Sequence, residues 1–356
     1  MIAAGGTAGH VVPALAVADA LAAKGAEVSF VGGVRAEAEL VPAAGYPLEQ
    51  IHVQPLHRGK PLKAARAAVA DVGSLGAARR ILRAAAPDAV LATGGYVAGP
   101  VGLAAVTRRT PLVLTEADSH LGISNRLLAP FARRVCLSFP IAGREGRRYL
   151  VTGRPVPPPA TDREAARERF GIGPWDTCVL VFGGSLGARS INEAAIEAFR
   201  GARFHVLHSA GTRDLESLTA PGPHYDLRGY IEPFSEALAA ADLVVGRAGG
   251  SVFEIAAHGR PAILVPYPHA AADHQAANAR YMEKAGAAVV IPDGELTPAR
   301  LGMEVGALLA DHGRLAAMAR ASASLARPHA AAEIAGELLE AAERKLSRRS
   351  ARRAPA

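Results

Sequence analysis

The chain has 356 residues, half of them hydrophobic but only 5% aromatic, with 21% charged and a net charge of +7. That length favours two domains over one, and an aliphatic, glycine-rich composition fits a soluble α/β enzyme built of helices on buried parallel strands. Six basic residues (Arg344, Lys345, Arg348, Arg349, Arg352, Arg353) crowd the end with no acid after Glu343, which leaves +1 on the rest, so the charge gives no ground for nucleic-acid binding by the fold.

In chain order, Met1 to Ala4 is a very short apolar run, pointing to a trimmed first strand or a misplaced start codon. The glycine loop GGTAGH follows, Gly5 to His10, and opens a helix to about Ala23 with Pro13 in its first turn and Gly25 as its stop. No basic region precedes an apolar stretch, so no targeting segment is visible. Val28 to Val31 reads as a strand. Leu56 to Arg83 carries Arg58, Lys60, Lys63, Arg66, Arg79, Arg80 and Arg83 against Asp71, with Leu62, Val69, Val72, Leu75, Ile81 and Leu82 interleaved. Such a stretch either lies on an anionic bilayer or forms ordinary domain helices with solvated arginines. The uncharged stretch Ala89 to Thr107 is long enough for a membrane span, but Gly94, Gly95, Gly99, Pro100 and Gly102 make it a poor helix. It reads instead as a buried strand, a third glycine loop (TGGYVAGP) and then a helix.

Leu112 to Thr115 and Arg134 to Leu137 are further strands, and Cys136 and Cys178 are expected to be buried, reduced thiols. Four prolines in VTGRPVPPPA, Val151 to Ala160, mark a domain boundary. The pattern then restarts. Cys178 to Phe182 is a strand, GGSLGA a second glycine loop (Gly183 to Ala188), and a helix runs to about Phe199. Phe204 to His208 and Leu243 to Val245 are strands, and Gly246 to Ile291 reads as loop, helix, strand, loop, helix, strand. A last amphipathic helix covers about Ala331 to Arg344, and the basic tail beyond it is expected to be disordered.

A strand, a glycine loop and a helix start aim backbone N–H groups and a positive helix end at an anion. Two such units imply two doubly wound α/β domains facing a shared cleft, with ligands beyond the carboxyl ends of the strands. The Ser185 hydroxyl and the second loop suit a diphosphate, and His10 is a candidate general base. Neither loop matches G-x-G-x-x-G, and no Walker A pattern occurs. His269, Asp273 and His274 have no third matched loop to complete a metal site.

GGTAGH, TGGYVAGP, GGSLGARSIN and RAGGSVFEIAAHGRPAILVPYPHAAADHQAANA, in this order, resemble the MurG family of peptidoglycan N-acetylglucosaminyltransferases over nearly the whole chain. The resemblance implies the GT-B fold, two Rossmann-like domains facing a cleft. An acceptor and membrane-side domain would cover 1–152, completed by the C-terminal helix at about 328–344. A UDP-GlcNAc-binding domain would cover 153–327, and a tail 345–356. It implies inverting transfer of N-acetylglucosamine from UDP-GlcNAc to the 4-hydroxyl of the MurNAc unit of lipid I, giving lipid II. No metal or cofactor is implied. The expected location is the cytoplasmic face of the membrane, as a peripheral protein on the anionic inner surface.

Residue by residue, the resemblance implies that His10 is catalytic and that Thr7, Ala8 and Gly9 approach the donor sugar and the acceptor diphosphate. The Ile231 backbone would read uracil, Glu254 would accept from the ribose beside Gly250 and Ser251, and His274, Gln275 and Asn278 would serve the donor sugar. Arg58, Gly59, Gly94, Gly95 and Tyr96 would be acceptor-side. The chain departs from the family where Ala8 replaces a glycine and where Glu116-Ala117-Asp118 replaces Glu-Gln-Asn, which puts Asp118 at a donor contact. Pro157 replaces an arginine, whose phosphate contact Arg154 is expected to take over, and RAGGSVFE is one residue short. The alternatives are another GT-B transferase with a glycolipid or natural-product acceptor, a UDP-GlcNAc 2-epimerase, and a non-catalytic UDP-sugar sensor.

Overall fold

Short aliphatic runs, buried on both sides, fold as the central parallel strands of both sheets. The computed structural model describes residues 1–6, 8–53, 61–184, 186–270 and 273–351, with backbone alone at 8, 61–72 and 348–351. The chain divides into two units, Met1–Val156 with Arg327–Ala356, and Pro157–Ala326.

The first unit has seven strands: β1 Ile2–Ala3, β2 Phe30–Gly32, β3 Leu48–Gln50, β4 Val90–Ala92, β5 Leu112–Glu116, β6 Arg134–Leu137 and β7 Tyr149–Val151. Their order is β3-β2-β1-β4-β5-β6-β7. Two residues suffice for β1 because it is central: Ile2 pairs with Phe30 on one side and Leu91 on the other. One face of the sheet is covered by α1 (Ala8–Ala22), with α2 (Ala36–Ala43) following β2. Val11, Ala14, Val17 and Leu21 of α1 bury there with Ile334, Leu338 and Ala341 of the final helix α13 (Ala330–Ala351). α3 (Pro61–Ala85) and α4 (Gly95–Thr107) cover the other face, and α5 (Ile123–Leu128) follows β5.

Three expectations need correction here. α1 starts at Ala8, so Pro13 lies in its second turn. TGGYVAGP is mostly helix: α4 begins at Gly95 and runs through Pro100, leaving only Thr93 and Gly94 as loop. The final helix reaches Ala351, so residues 345–351 are not a disordered tail. Glu340–Arg344 pairing one turn apart and Lys345 donating to the Pro87 carbonyl at 2.6 Å carry it onward. In α3, Ala78 and Leu82 are core residues with Leu75 and Ile81 packed beside them. The apolar side of its described part therefore faces the sheet, as ordinary domain helices would place it, and Arg79, Arg80 and Arg83 are exposed.

The second unit opens with α6 (Arg163–Arg169), followed by β8 Cys178–Phe182, α7 Arg189–Ala198, β9 His205–Ser209 and β10 Tyr225–Arg228. Then come α8 Phe234–Ala240, β11 Leu243–Gly246, α9 Val252–Ala257, β12 Ala262–Leu264, α10 His274–Lys284 and β13 Ala288–Val290. α11 (Pro298–Ala310) and α12 (His312–Ser324) close the unit. The sheet order is β10-β9-β8-β11-β12-β13. In each unit the order reverses beside the first strand, between β1 and β4 or between β8 and β11. That switch point is where an open parallel sheet makes its ligand crevice, and each principal glycine loop leaves the sheet there. Cys136 and Cys178 are buried and unpaired, and burial pushes both thiols up to about 12.

Candidate functional site

The first loop is organised from below by a residue with no local signature. Glu37, in the first turn of α2, is fully buried. Its carboxylate accepts from the Gly6 N–H (2.9 Å), the Gly33 N–H (2.9 Å) and the Tyr96 hydroxyl (2.6 Å). Burial pushes its carboxyl up, but these bonds outweigh burial and hold it below its ordinary range. The Tyr96 phenol is pushed up to about 12 by burial and by the bond to Glu37, and the Arg35 guanidinium lies 5.2 Å from its ring centre. The Gly6 amide, read from sequence as an anion donor, is thus spent on an anion of the protein itself.

His10 is the third residue of α1. Its Nδ1 is buried with no hydrogen-bond partner among the described residues. The Arg154 guanidinium donates to the Gly9 carbonyl one residue away. Burial first, then the Arg154 charge, lowers the His10 pKa from its ordinary value; Asp118 and Glu37 pull weakly the other way. The imidazole is therefore neutral at pH 7. A small recess at the carboxyl ends of β4, β5 and β6 brings His10 together with Thr93, Glu116, Ser138 and Arg154. Glu116, which the sequence reading did not assign, is buried and accepts from the Asp118 N–H (3.2 Å), the Gly122 N–H (2.8 Å) and Asn125 Nδ2 (2.9 Å). It fixes the turn carrying Asp118. Burial raises the Glu116 pKa despite these bonds. Gly94 and Gly95 sit at the start of α4 with Tyr96. Thr7, Arg58, Gly59 and Ser185 lie outside the described residues, as does the Ala8 side chain.

In the second unit the expected donor residues gather at the carboxyl ends of β8, β10, β11 and β12. Gly187 has φ +78° and presses on the next loop, where a Cβ would meet the Ala210 carbonyl oxygen at 2.0 Å. Gly250 and Ser251 form the turn into α9, and Glu254 is partly buried in its first turn. Ile231 is buried between β10 and α8. His274 opens α10. Gln275 accepts the Tyr267 N–H at 2.9 Å, and Asn278 donates to the Ala248 carbonyl at 3.0 Å. The Asn278 Oδ1 is buried without a partner among the described residues, an acceptor suited to a ligand hydroxyl. Arg247, also unassigned from sequence, braces these loops. It is buried, donating to Asp293 (2.6 Å), Ser190 Oγ (3.0 Å) and the Val265 carbonyl (3.1 Å). Among the described residues no group of three or more His, Cys, Asp or Glu side chains is placed to hold a metal ion.

Residues 1–137 match the glycosyltransferase family 28 N-terminal domain and residues 178–334 its C-terminal domain. A relative from Moorella thermoacetica is 44% identical over 96% of this chain and 99% of its own length. One from Nitrosococcus oceani is 43% identical over 96% and 98%. Both bear the name UDP-N-acetylglucosamine--N-acetylmuramyl-(pentapeptide) pyrophosphoryl-undecaprenol N-acetylglucosamine transferase. Among solved structures, MurG of Acinetobacter baumannii superposes with a TM-score of 0.77 at 30% identity, covering 96% of this chain and 98% of that one. A UDP-GlcNAc 2-epimerase from Neisseria meningitidis, at 14% identity and a TM-score of 0.66, shares the fold alone. With both domains matched along the chain and two parallel Rossmann-like sheets in place, the chain has the GT-B fold and belongs to glycosyltransferase family 28, in its MurG branch.

Proposed function

We infer that this chain moves N-acetylglucosamine from UDP-GlcNAc to the 4-hydroxyl of the MurNAc unit of lipid I, forming lipid II. The observation that carries the reading is the extent of the match. Relatives with that transferase name are 38–44% identical over 92–98% of the chain, so the acceptor half is matched as well as the nucleotide half.

In this reading the second unit binds the nucleotide. The Gly183 to Ala188 amides with Ser185 receive the diphosphate, Glu254 accepts from the ribose beside Gly250 and Ser251, and the Ile231 backbone meets uracil. His274, Gln275 and Asn278 serve the sugar. In the first unit Thr7, Ala8, Gly9, Asp118 and Arg154 serve the donor, and Arg58, Gly59, Gly94, Gly95 and Tyr96 the acceptor. Neutral His10 takes the acceptor proton as the new bond to the anomeric carbon forms and the bond to the diphosphate oxygen breaks. UDP leaves with that electron pair, and the anomeric centre inverts.

The lipid acceptor calls for a membrane surface, with the protein held peripherally on the anionic cytoplasmic leaflet. No helix among the described residues is long and apolar enough to cross a membrane. A recess of about 820 Å³ at the amino ends of β5 to β7 is lined by eight basic residues (Arg108, Arg109, Arg133, Arg134, Arg147, Arg148, Arg344, Lys345) and by no acid among the described residues. It lies at the opposite end of the sheet from the glycine loops, so it supports tethering rather than chemistry.

The test is UDP release from UDP-GlcNAc with and without a short-chain lipid I analogue. Release that needs the analogue, with a disaccharide product, supports the reading. Nucleotide binding with no analogue-dependent release would move the acceptor to another class.

A further inference from the structure

The second unit buries a row of polar side chains beneath its glycine loop. Asn192, in the first turns of α7, is fully buried, as is His208 on β9. Asn192 Nδ2 donates to the Ala210 carbonyl at 2.9 Å. Because a carbonyl only accepts, the amide orientation is settled, and Asn192 Oδ1 faces His208 Nε2 at 3.0 Å. That contact requires a proton on Nε2, so His208 Nδ1 accepts from the Tyr225 hydroxyl at 2.7 Å. Each proton in the chain from Tyr225 to Ala210 has one place. Burial lowers the His208 pKa to about 4, so the imidazole stays neutral and the order is kept at pH 7.

The row ends where the two loops touch. The Ala210 carbonyl is wedged against Gly187, and a Cβ on Gly211 would lie 2.3 Å from the Gly187 nitrogen. On its other side the same turn is tied to the sheet edge, Ala210 N–H donating to Arg228 (2.8 Å) and Gly211 N–H to Gly229 (2.9 Å). A shift of Ala210 is therefore a shift of Gly187. Buried polar groups are costly unless fully bonded, and fully bonded they impose one geometry where an aliphatic cluster would accept several.

We propose that Asn192, oriented by His208 and Tyr225, is a positioning residue that fixes the second glycine loop in its diphosphate-binding conformation. This rests on the reading of that loop as the nucleotide site. Asn192 touches no substrate; it acts through Ala210 and Gly187, and it governs affinity for the diphosphate rather than for the nucleoside.

The experiment compares UDP and uridine binding to the full chain and to Asn192→Ala and Tyr225→Phe, with thermal unfolding midpoints and donor kinetics alongside. Losing the Asn192 bond should raise the UDP Kd and the KM for UDP-GlcNAc about tenfold, with Tyr225→Phe raising them a few-fold, the scale of one hydrogen bond. Uridine affinity and kcat should stay close to wild type. Variants that unfold earlier yet bind UDP as wild type does would show a purely structural network and overturn the proposal, and so would equal losses for UDP and uridine. Should Asn192→Ala fail to fold, Tyr225→Phe, one oxygen smaller, decides between the same outcomes. A wild-type chain that binds no UDP would instead refute the nucleotide-site reading itself.

Discussion

Arg154 holds the carbonyl that Pro13 leaves open. Proline has no N–H to offer the carbonyl four residues earlier, so the Gly9 carbonyl lacks its helical donor and the Arg154 guanidinium takes that place. A fixed cation thus stands beside His10 and, after burial, is the next cause of its lowered pKa. A base works unprotonated, so its pKa sets the acid limb of activity. Arg154→Ala should raise the His10 pKa toward 6.5 and move the acid limb of kcat/KM to higher pH. Arg154→Lys, which keeps the charge, should move it less. A limb that stays in place would uncouple Arg154 from the titrating group.

His10→Ala separates base from ligand contact. Loss of general-base catalysis should lower kcat by about 10²–10⁴-fold, while affinity for UDP-GlcNAc stays within about threefold. Single-turnover rates and nucleotide titration measure the two independently. Comparable losses in both would make His10 a binding residue only.

The central strands were legible because they are aliphatic and wholly buried. Arg134–Leu137 and Cys178–Phe182 stand at their expected ends. β3 and β7 were not, since Leu48–Gln50 and Tyr149–Val151 are partly exposed edge strands of three residues, too short for a periodic pattern. Pro13 misled the reading of α1 because a proline at a helix start and one in a second turn look alike until Arg154 is seen to replace the lost donor. Glu37 had no signature either, and Glu116 and Asn192 stood within family-like motifs that gave them no role. Their partners lie in other elements, Tyr96 being 59 residues from Glu37 and Ala210 18 residues from Asn192. A buried polar residue announces itself only through its tertiary contacts.

Glu37 and Tyr96 tie the first loop to α2 and α4, and that tie has a pH signature. The Glu37 carboxyl lies below its ordinary value of 4.5 in the folded chain, so its contribution is full above that value and is lost as pH falls through the folded pKa. Tyr96→Phe removes one bond to a charged acceptor and should cost about 1.5–3 kcal/mol in urea unfolding at pH 7. Glu37→Ala should cost more, because the Gly6 and Gly33 amides lose their acceptor as well. Glu37→Gln should flatten the fall in stability below pH 4.5. A variant with the same acid sensitivity as wild type would place that sensitivity elsewhere.

The basic surface should behave as a tether whose strength is set by charge. Glu340 is the paired acid for Arg133 and Arg344, and Glu337 for Arg134, but Arg108, Arg109, Arg147 and Arg148 make no ion pair among the described residues. Arg79 extends this surface toward α3, its Nε donating to Thr107 Oγ1 at 3.2 Å beside Arg108. Each basic residue near an anionic leaflet contributes about 1 kcal/mol. Reversing Arg79, Arg80 and Arg83 to Glu should weaken sedimentation with anionic liposomes by at least about a hundredfold, and Arg108, Arg109, Arg147 and Arg148 to Glu should do at least as much. Binding should also fall as salt rises through the range where the Debye length drops below about 8 Å. Turnover on a detergent-dispersed acceptor should change little, because these residues stand at the amino ends of the strands, away from His10. Unchanged liposome partition in both charge-reversed proteins would remove the arginines from the membrane contact. Equal losses on vesicles and on the dispersed acceptor would instead place them in acceptor binding.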